Sequence, residues 1–213
     1  MSEPLNVKVC GLCSLGNSLE CIDAGVDMLG FNFWPESKRH VAFDEARQWL
    51  GDLEGKVERV ALFVNASRGK IEAVWQSGLF DLVQLHGDES SGFCRDLVGD
   101  GIPIMRAIRV REESDLDQIP SFPGERLLLD AFVKGAFGGT GESFDWSLAR
   151  IAVERYPERK IVLSGGLNPD NVVGAVSQVG PWGVDAASGV ESAPGVKDPF
   201  LVANLVKRAK GLD

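Results

Sequence analysis

The chain has 213 residues, 44% hydrophobic and 25% charged, and its 22 Lys and Arg against 31 Asp and Glu give a formal net charge of −9. This mixture suits one acidic domain spanning residues 1–213 and excludes both a disordered polymer and a disulfide-stapled miniature. The negative balance argues against nucleic acid or an anionic membrane as partner, because those surfaces are held by clustered Lys and Arg.

Met1-Ser2-Glu3-Pro4 lacks the basic start and apolar run of a secretory leader, and no apolar stretch reaches membrane-spanning length, so a cytoplasmic protein is expected. Short apolar or β-branched runs then recur at residues 5–10, 28–33, 59–63, 79–85, 104–108, 127–130, 161–163 and 184–187, and each reads as a strand. Between them, helical spacing of apolar positions marks residues 43–53, 71–77, 93–98, 146–153, 171–177 and 199–209. Strand alternating with helix implies a parallel sheet with right-handed crossovers, and a count of eight favours closure into a single-domain (β/α)8 TIM barrel. Such barrels usually need about 250 residues, so this one is expected to be compact, with short helices. Residues 131–145, Gly-rich and following the sixth strand, read as a lid or binding loop.

Barrels of this kind build their sites at the C-terminal strand ends. Here the first strand ends at Cys10, the second leads to Ser37-Lys38-Arg39, the fourth ends Gln84-Leu85-His86-Gly87 and the sixth ends at Asp130. Cys10 alone is more commonly a small buried hydrophobe, but period-2 alternation sets Lys8 on the same side, and a buried cation favours a thiolate. Lys8 equally suits a structural ion pair inside the barrel. His86 suits either a satisfied polar group or a substrate contact. Gly165-Gly166 and Ser188-Gly189 follow the last two strands, where backbone N–H groups can cradle a phosphate without basic side chains. Cys10-Gly11-Leu12-Cys13 also has the form of a redox dithiol or half a zinc site. No second such pair accompanies it, and reduced thiols are the better expectation for Cys10, Cys13, Cys21 and Cys94.

Taken together, Lys8-Val9-Cys10-Gly11, Ser37-Lys38-Arg39, Val83-Gln84-Leu85-His86-Gly87, Leu129-Asp130, Gly138-Gly139-Thr140-Gly141-Glu142, Leu163-Ser164-Gly165-Gly166-Leu167, Ser188-Gly189-Val190-Glu191 and Gly195-Val196-Lys197-Asp198 resemble the phosphoribosylanthranilate isomerase family almost end to end. The resemblance implies an Amadori rearrangement of a small phosphosugar-anthranilate, without metal or organic cofactor. The sequence leaves a monomer or homodimer open, with a monomer as the default expectation. The resemblance also implies Asp130 as general acid and Cys10 as general base, Arg39 on the anthranilate carboxylate, Asp185 on a sugar hydroxyl, and Gly165, Gly166, Ser188 and Gly189 on the phosphate. A protonated Asp and a deprotonated Cys are the less usual states at neutral pH, so the site must favour both. Two features depart from the family's usual pattern: Cys13 stands where threonine is common, and Gly16-Asn17 where an acidic pair is common. Cys13 raises the expectation of an adventitious bridge to Cys10 on oxidation. A related phosphosugar isomerase, a silent phosphosugar-binding protein and a redox dithiol protein are the competing readings.

Overall fold

The computed structural model describes residues 4–131 and 145–212. Eight strands, β1 (Asn6–Cys10), β2 (Met28–Asn32), β3 (Glu58–Phe63), β4 (Leu82–Leu85), β5 (Ile104–Val110), β6 (Arg126–Ala131), β7 (Lys160–Leu163) and β8 (Gly183–Ala186), pair in chain order into a closed barrel. Every neighbour is parallel, and β8 returns to β1 with Lys8 opposite Asp185. The connections carry helices α1 (Leu15–Asp23), α2 (Phe43–Ala46), α3 (Arg68–Trp75), α4 (Ser91–Gly99), α5 (Trp146–Arg155), α6 (Val172–Val179) and α7 (Pro199–Ala209). A short antiparallel ribbon, β9 (Glu191–Ala193) with β10 (Val196–Lys197), follows β8.

Local chemistry explains where the elements fall. The bounds of α7 agree with its apolar spacing because its start is fixed: Asp198 caps the amides of Phe200 and Leu201, and Pro199 sits in the first turn. Residues 43–53 behave differently from the expected single helix. Ala42 offers no side-chain cap, α2 stops at Ala46, and a 3-10 helix, Leu50–Leu53, completes the connection. The apolar face survives this break, since Ala46, Leu50 and Leu53 are fully buried. Helix α1 was not marked by spacing; Ser14 caps it through the Asn17 amide, and only Ser18 and Cys21 are buried. A 3-10 helix, Glu113–Ser121, which contains Pro120, follows β5, where the spacing marks no helix. Strand β4 begins three residues later than its apolar run. Asp81 just before it receives the amide, Nε and Nη2 of Arg59, which anchors the β3 entrance instead.

Side chains pack in two shells. Inside the barrel lie Met28, Val60, Leu82, Met105, Ala107, Leu128 and Val162, with Trp182 at their edge. A larger shell between strands and helices includes Phe31, Phe63, Leu97, Leu163 and Leu205. The Gly-rich segment expected to form a lid, residues 138–141, lies outside the described residues.

Leu128 is fully buried in the inner layer. Its substitution by Ala should lower unfolding stability by about 2–5 kcal/mol, measured as a shifted urea midpoint at unchanged slope. A cost under about 0.5 kcal/mol would mean that the interior is not packed as described.

Candidate active site

Residues two apart on one strand share a face, so the last inward positions of each strand meet at the C-terminal mouth. On β1 these are Lys8 and Cys10. The Lys8 ammonium, fully buried, lies 2.9 Å from Asp185 Oδ1 on β8. Burial works against that ammonium, but Asp185 and the Cys10 sulfur outweigh it, so Lys8 is held above the usual lysine range. Both readings of Lys8 therefore meet in one side chain: it is the ion-paired residue, and it also faces the thiol.

Room for this arrangement comes from Gly30 on β2, which pairs with Cys10 in register. A Cβ there would lie 2.7 Å from Cys10 Sγ and 3.0 Å from Lys8 Nζ. Cys10 itself is buried, and burial is the main influence on its thiol, pushing it above the ordinary value. Lys8 pulls it back, Asp185 adds to the rise, and Lys197 again lowers it. The expectation that a cation favours the thiolate is thus right about Lys8, while the net shift is upward. Desolvation wins. Cys21 and Cys94 are pushed further, to about 12 and about 11, by burial, so neither is a reactive thiol. All four cysteines are free, and Cys13 Sγ faces the Arg39 carbonyl at 3.5 Å.

The acidic side of the mouth comes from β4 and β6. Asp130, the last inward residue of β6, is buried, with Oδ2 3.1 Å from His86 Nε2. The other ring nitrogen of His86 lies 2.9 Å from Gln84 Nε2. His86 is therefore a satisfied polar group that reaches Asp130.

Arg39 is no loose surface charge. Its side chain is 14% exposed, and Nε and Nη2 donate to Glu191 Oε1 and Oε2 at 2.8 and 2.7 Å. Lys197 Nζ donates to the same Oε1 at 2.7 Å and to the Ala187 carbonyl at 3.1 Å. Burial opposes the Glu191 carboxylate, yet these two cations hold it below the usual range. The Arg39 stem lies over Gly11, where a Cβ would meet its Cδ at 2.5 Å. Glu191 and Lys197 had no role assigned from sequence. Their partnership depends on the β9–β10 ribbon, whose turn at Gly195 has φ +82°, the one local signal that was available.

The two glycine turns meet. Gly165 and Gly166 both have positive φ, and a Cβ on Gly189 would lie 2.0 Å from the Leu167 carbonyl oxygen, so only glycine allows this approach. Asn171 fastens the first turn by donating to the Gly166 carbonyl at 2.9 Å while accepting from the Asn168 amide. Gly165, Gly166, Ser188 and Gly189 are half-buried and follow the C-terminal ends of β7 and β8.

Known proteins agree with this architecture. The family model of N-(5′-phosphoribosyl)anthranilate isomerase matches residues 7–208. An N-(5′-phosphoribosyl)anthranilate isomerase of Geotalea uraniireducens is 43% identical over 97% of this chain and 98% of its own length. Monomers generated from the dimeric phosphoribosylanthranilate isomerase of Thermotoga maritima superpose with a TM-score of 0.84 at 39% identity, covering 98% of this chain and 100% of theirs. A phosphoribosylanthranilate isomerase in complex with reduced 1-(o-carboxyphenylamino)-1-deoxyribulose 5-phosphate gives 0.84 at 38% identity and the same coverage.

Gly30→Ala should displace the Cys10 sulfur and cost roughly 1–3 kcal/mol through overpacking. Alkylation of Cys10 by a small thiol reagent, followed by mass spectrometry, should change in rate by at least about threefold. An unchanged alkylation rate in a variant of undiminished stability would contradict the contact.

Proposed function

The chain belongs to the N-(5′-phosphoribosyl)anthranilate isomerase family, and from that membership we propose how its barrel mouth works. Its activity is the rearrangement of N-(5′-phosphoribosyl)anthranilate, an aminoaldose, into 1-(2-carboxyphenylamino)-1-deoxyribulose 5-phosphate, an aminoketose, in tryptophan biosynthesis. The observation that carries the mechanism is the pair of buried inward groups, a thiol from β1 and a carboxyl from β6.

Asp130 donates a proton to the furanose ring oxygen. The C1′–O bond breaks as the anilinic nitrogen lone pair forms a C1′=N bond, which leaves a protonated Schiff base. Cys10, as thiolate, then removes the C2′ proton, and the released electron pair forms C1′=C2′ while neutralising the nitrogen. The resulting enolamine loses its C2′ hydroxyl proton and gains one at C1′ to give the ketone. Atoms balance without an oxidant or reductant, as an isomerisation requires.

Burial favours the thiol form of Cys10. The cationic Schiff base forms beside it, and opposite charge favours the thiolate at the step that needs it. Arg39 binds the anthranilate carboxylate. Its pairing with Glu191 uses Nε and Nη2, and a planar guanidinium keeps an Nη1/Nη2 edge for a second carboxylate. Asp185, with one oxygen on Lys8, accepts from a sugar hydroxyl. The amides of Gly165, Gly166, Ser188 and Gly189 hold the phosphate.

Loss of anthranilate-type fluorescence from freshly generated substrate, followed with reduced protein in chelator, tests the assignments. Cys10→Ala and Asp130→Ala should each lose about 10²–10⁴ in rate and still bind a reduced product analogue. Undiminished turnover by Cys10→Ser would refute the base. The upward push on the thiol also fixes a pH dependence. Activity needing the thiolate should rise with pH on the alkaline side of neutrality, and Lys8→Met, by removing a cation that lowers the thiol, should move that rising limb to higher pH. An unmoved or lowered limb would contradict the pairing.

A further inference from the structure

The acid has a neighbour that the reaction scheme leaves unused. Gln84 and His86 stand two apart at the end of β4, both buried, in a line that ends on Asp130. We propose that His86, oriented by Gln84, is a positioning residue for the general acid: a neutral imidazole that keeps its proton on Nε2 and donates it to Asp130 Oδ2. This rests on the reading of Asp130 as the acid.

Gln84 Nε2 lies 2.9 Å from His86 Nδ1, and an amide nitrogen can only donate, so Nδ1 accepts with its lone pair. The ring proton of the neutral imidazole is then on Nε2, which faces Asp130 Oδ2 at 3.1 Å. A carboxylate oxygen accepts such a bond, and this tautomer satisfies both contacts at once. Protonating Nδ1 as well would set two donors against each other. It would require Gln84 to turn its amide and present Oε1, which is buried with no hydrogen-bond partner among the described residues. The glutamine therefore selects the Nε2-protonated tautomer.

Two consequences follow for the acid. With Oδ2 occupied by an N–H, the transferable proton is carried on Oδ1. Once it has left for the ring oxygen, the carboxylate keeps a charge-assisted bond, which lowers the cost of giving the proton up. Among the described residues, Asp185 on β8 interacts with both Asp130 and His86 and pairs with Lys8, which lies beside Cys10 on β1, and Arg109 on β5 stands at the register position of Asp130.

Two variants separate positioning from bulk structure. Glutamine can set its amide nitrogen where Nε2 stands, whereas alanine leaves Oδ2 without this donor. His86→Ala should lose roughly ten- to a hundredfold in kcat, the worth of a hydrogen bond to a charged group, with KM within about threefold. The falling limb of its pH profile should move to higher pH, because a carboxylate that has lost a donor retains its proton longer. His86→Gln should recover at least about a third of the wild-type kcat and restore the limb. The chain has only two histidines, so nitrogen-15 NMR of the labelled wild-type protein reads the tautomer directly, with the His86 signals identified by their loss in His86→Gln. The expected state is neutral, protonated on Nε2. A proton on Nδ1, or His86→Ala with wild-type kcat and an unmoved limb, would overturn the proposal. Wild-type turnover in Asp130→Ala would instead overturn the acid assignment, so the two failures are distinguishable.

Discussion

The barrel closes between its first and last strands, and at that seam two opposite charges are buried against each other. Lys8 and Asp185 stand in register across β1 and β8. Neither is tolerable there alone, since removing one partner of a buried pair costs about 3–5 kcal/mol by stranding the other charge. The pair therefore makes registry and electrostatics one constraint. Slip β8 by one residue and Asp185 leaves the interior while Lys8 stays. Everything at the mouth is set relative to this seam: Cys10 stands one inward position above Lys8, Gly30 gives both the space they occupy, and the ammonium offsets part of the burial that keeps the thiol protonated.

Charge is organised in the same way around the rim. Glu191 serves Arg39 and Lys197 at once, so a guanidinium is fixed in orientation before any ligand arrives. A preoriented fork loses less entropy when it captures a carboxylate. In the proposed function the glycine turns make a complementary provision for a phosphate, with backbone amides in place of cations. On that proposal an acidic protein handles a substrate with two anionic groups using few basic side chains, each placed by a partner.

Much of the fold could be read in the chain because parallel barrel strands are continuous apolar runs and α7 carries its own start signal in Asp198-Pro199. The connections after β2 and β5 resisted. After β2 the apolar spacing serves the core without requiring a continuous α-helix and Ala42 offers no side-chain cap, while after β5 no helical spacing marks the 3-10 helix that holds Pro120. For the site, Cys10, Lys8 and Asp130 were legible from strand ends and alternation. Glu191 and Lys197 were not, because their meeting depends on a two-strand ribbon with no alternating signal. Gly30 escaped notice because a glycine in a strand says only that something comes close, and what comes close is distant in sequence. The direction of the Cys10 shift is likewise a property of burial, which no residue pattern states.

The central claim is that a buried thiol, moderated by Lys8, is the base of the isomerisation. Its most direct test compares the ultraviolet titration of the Cys10 thiolate, taken as wild type minus Cys10→Ser, with the rising limb of kcat/KM in the same buffers. The two should share one midpoint, above that of an ordinary thiol. A limb that rises well below the pH at which the thiol ionises would show that another group removes the C2′ proton.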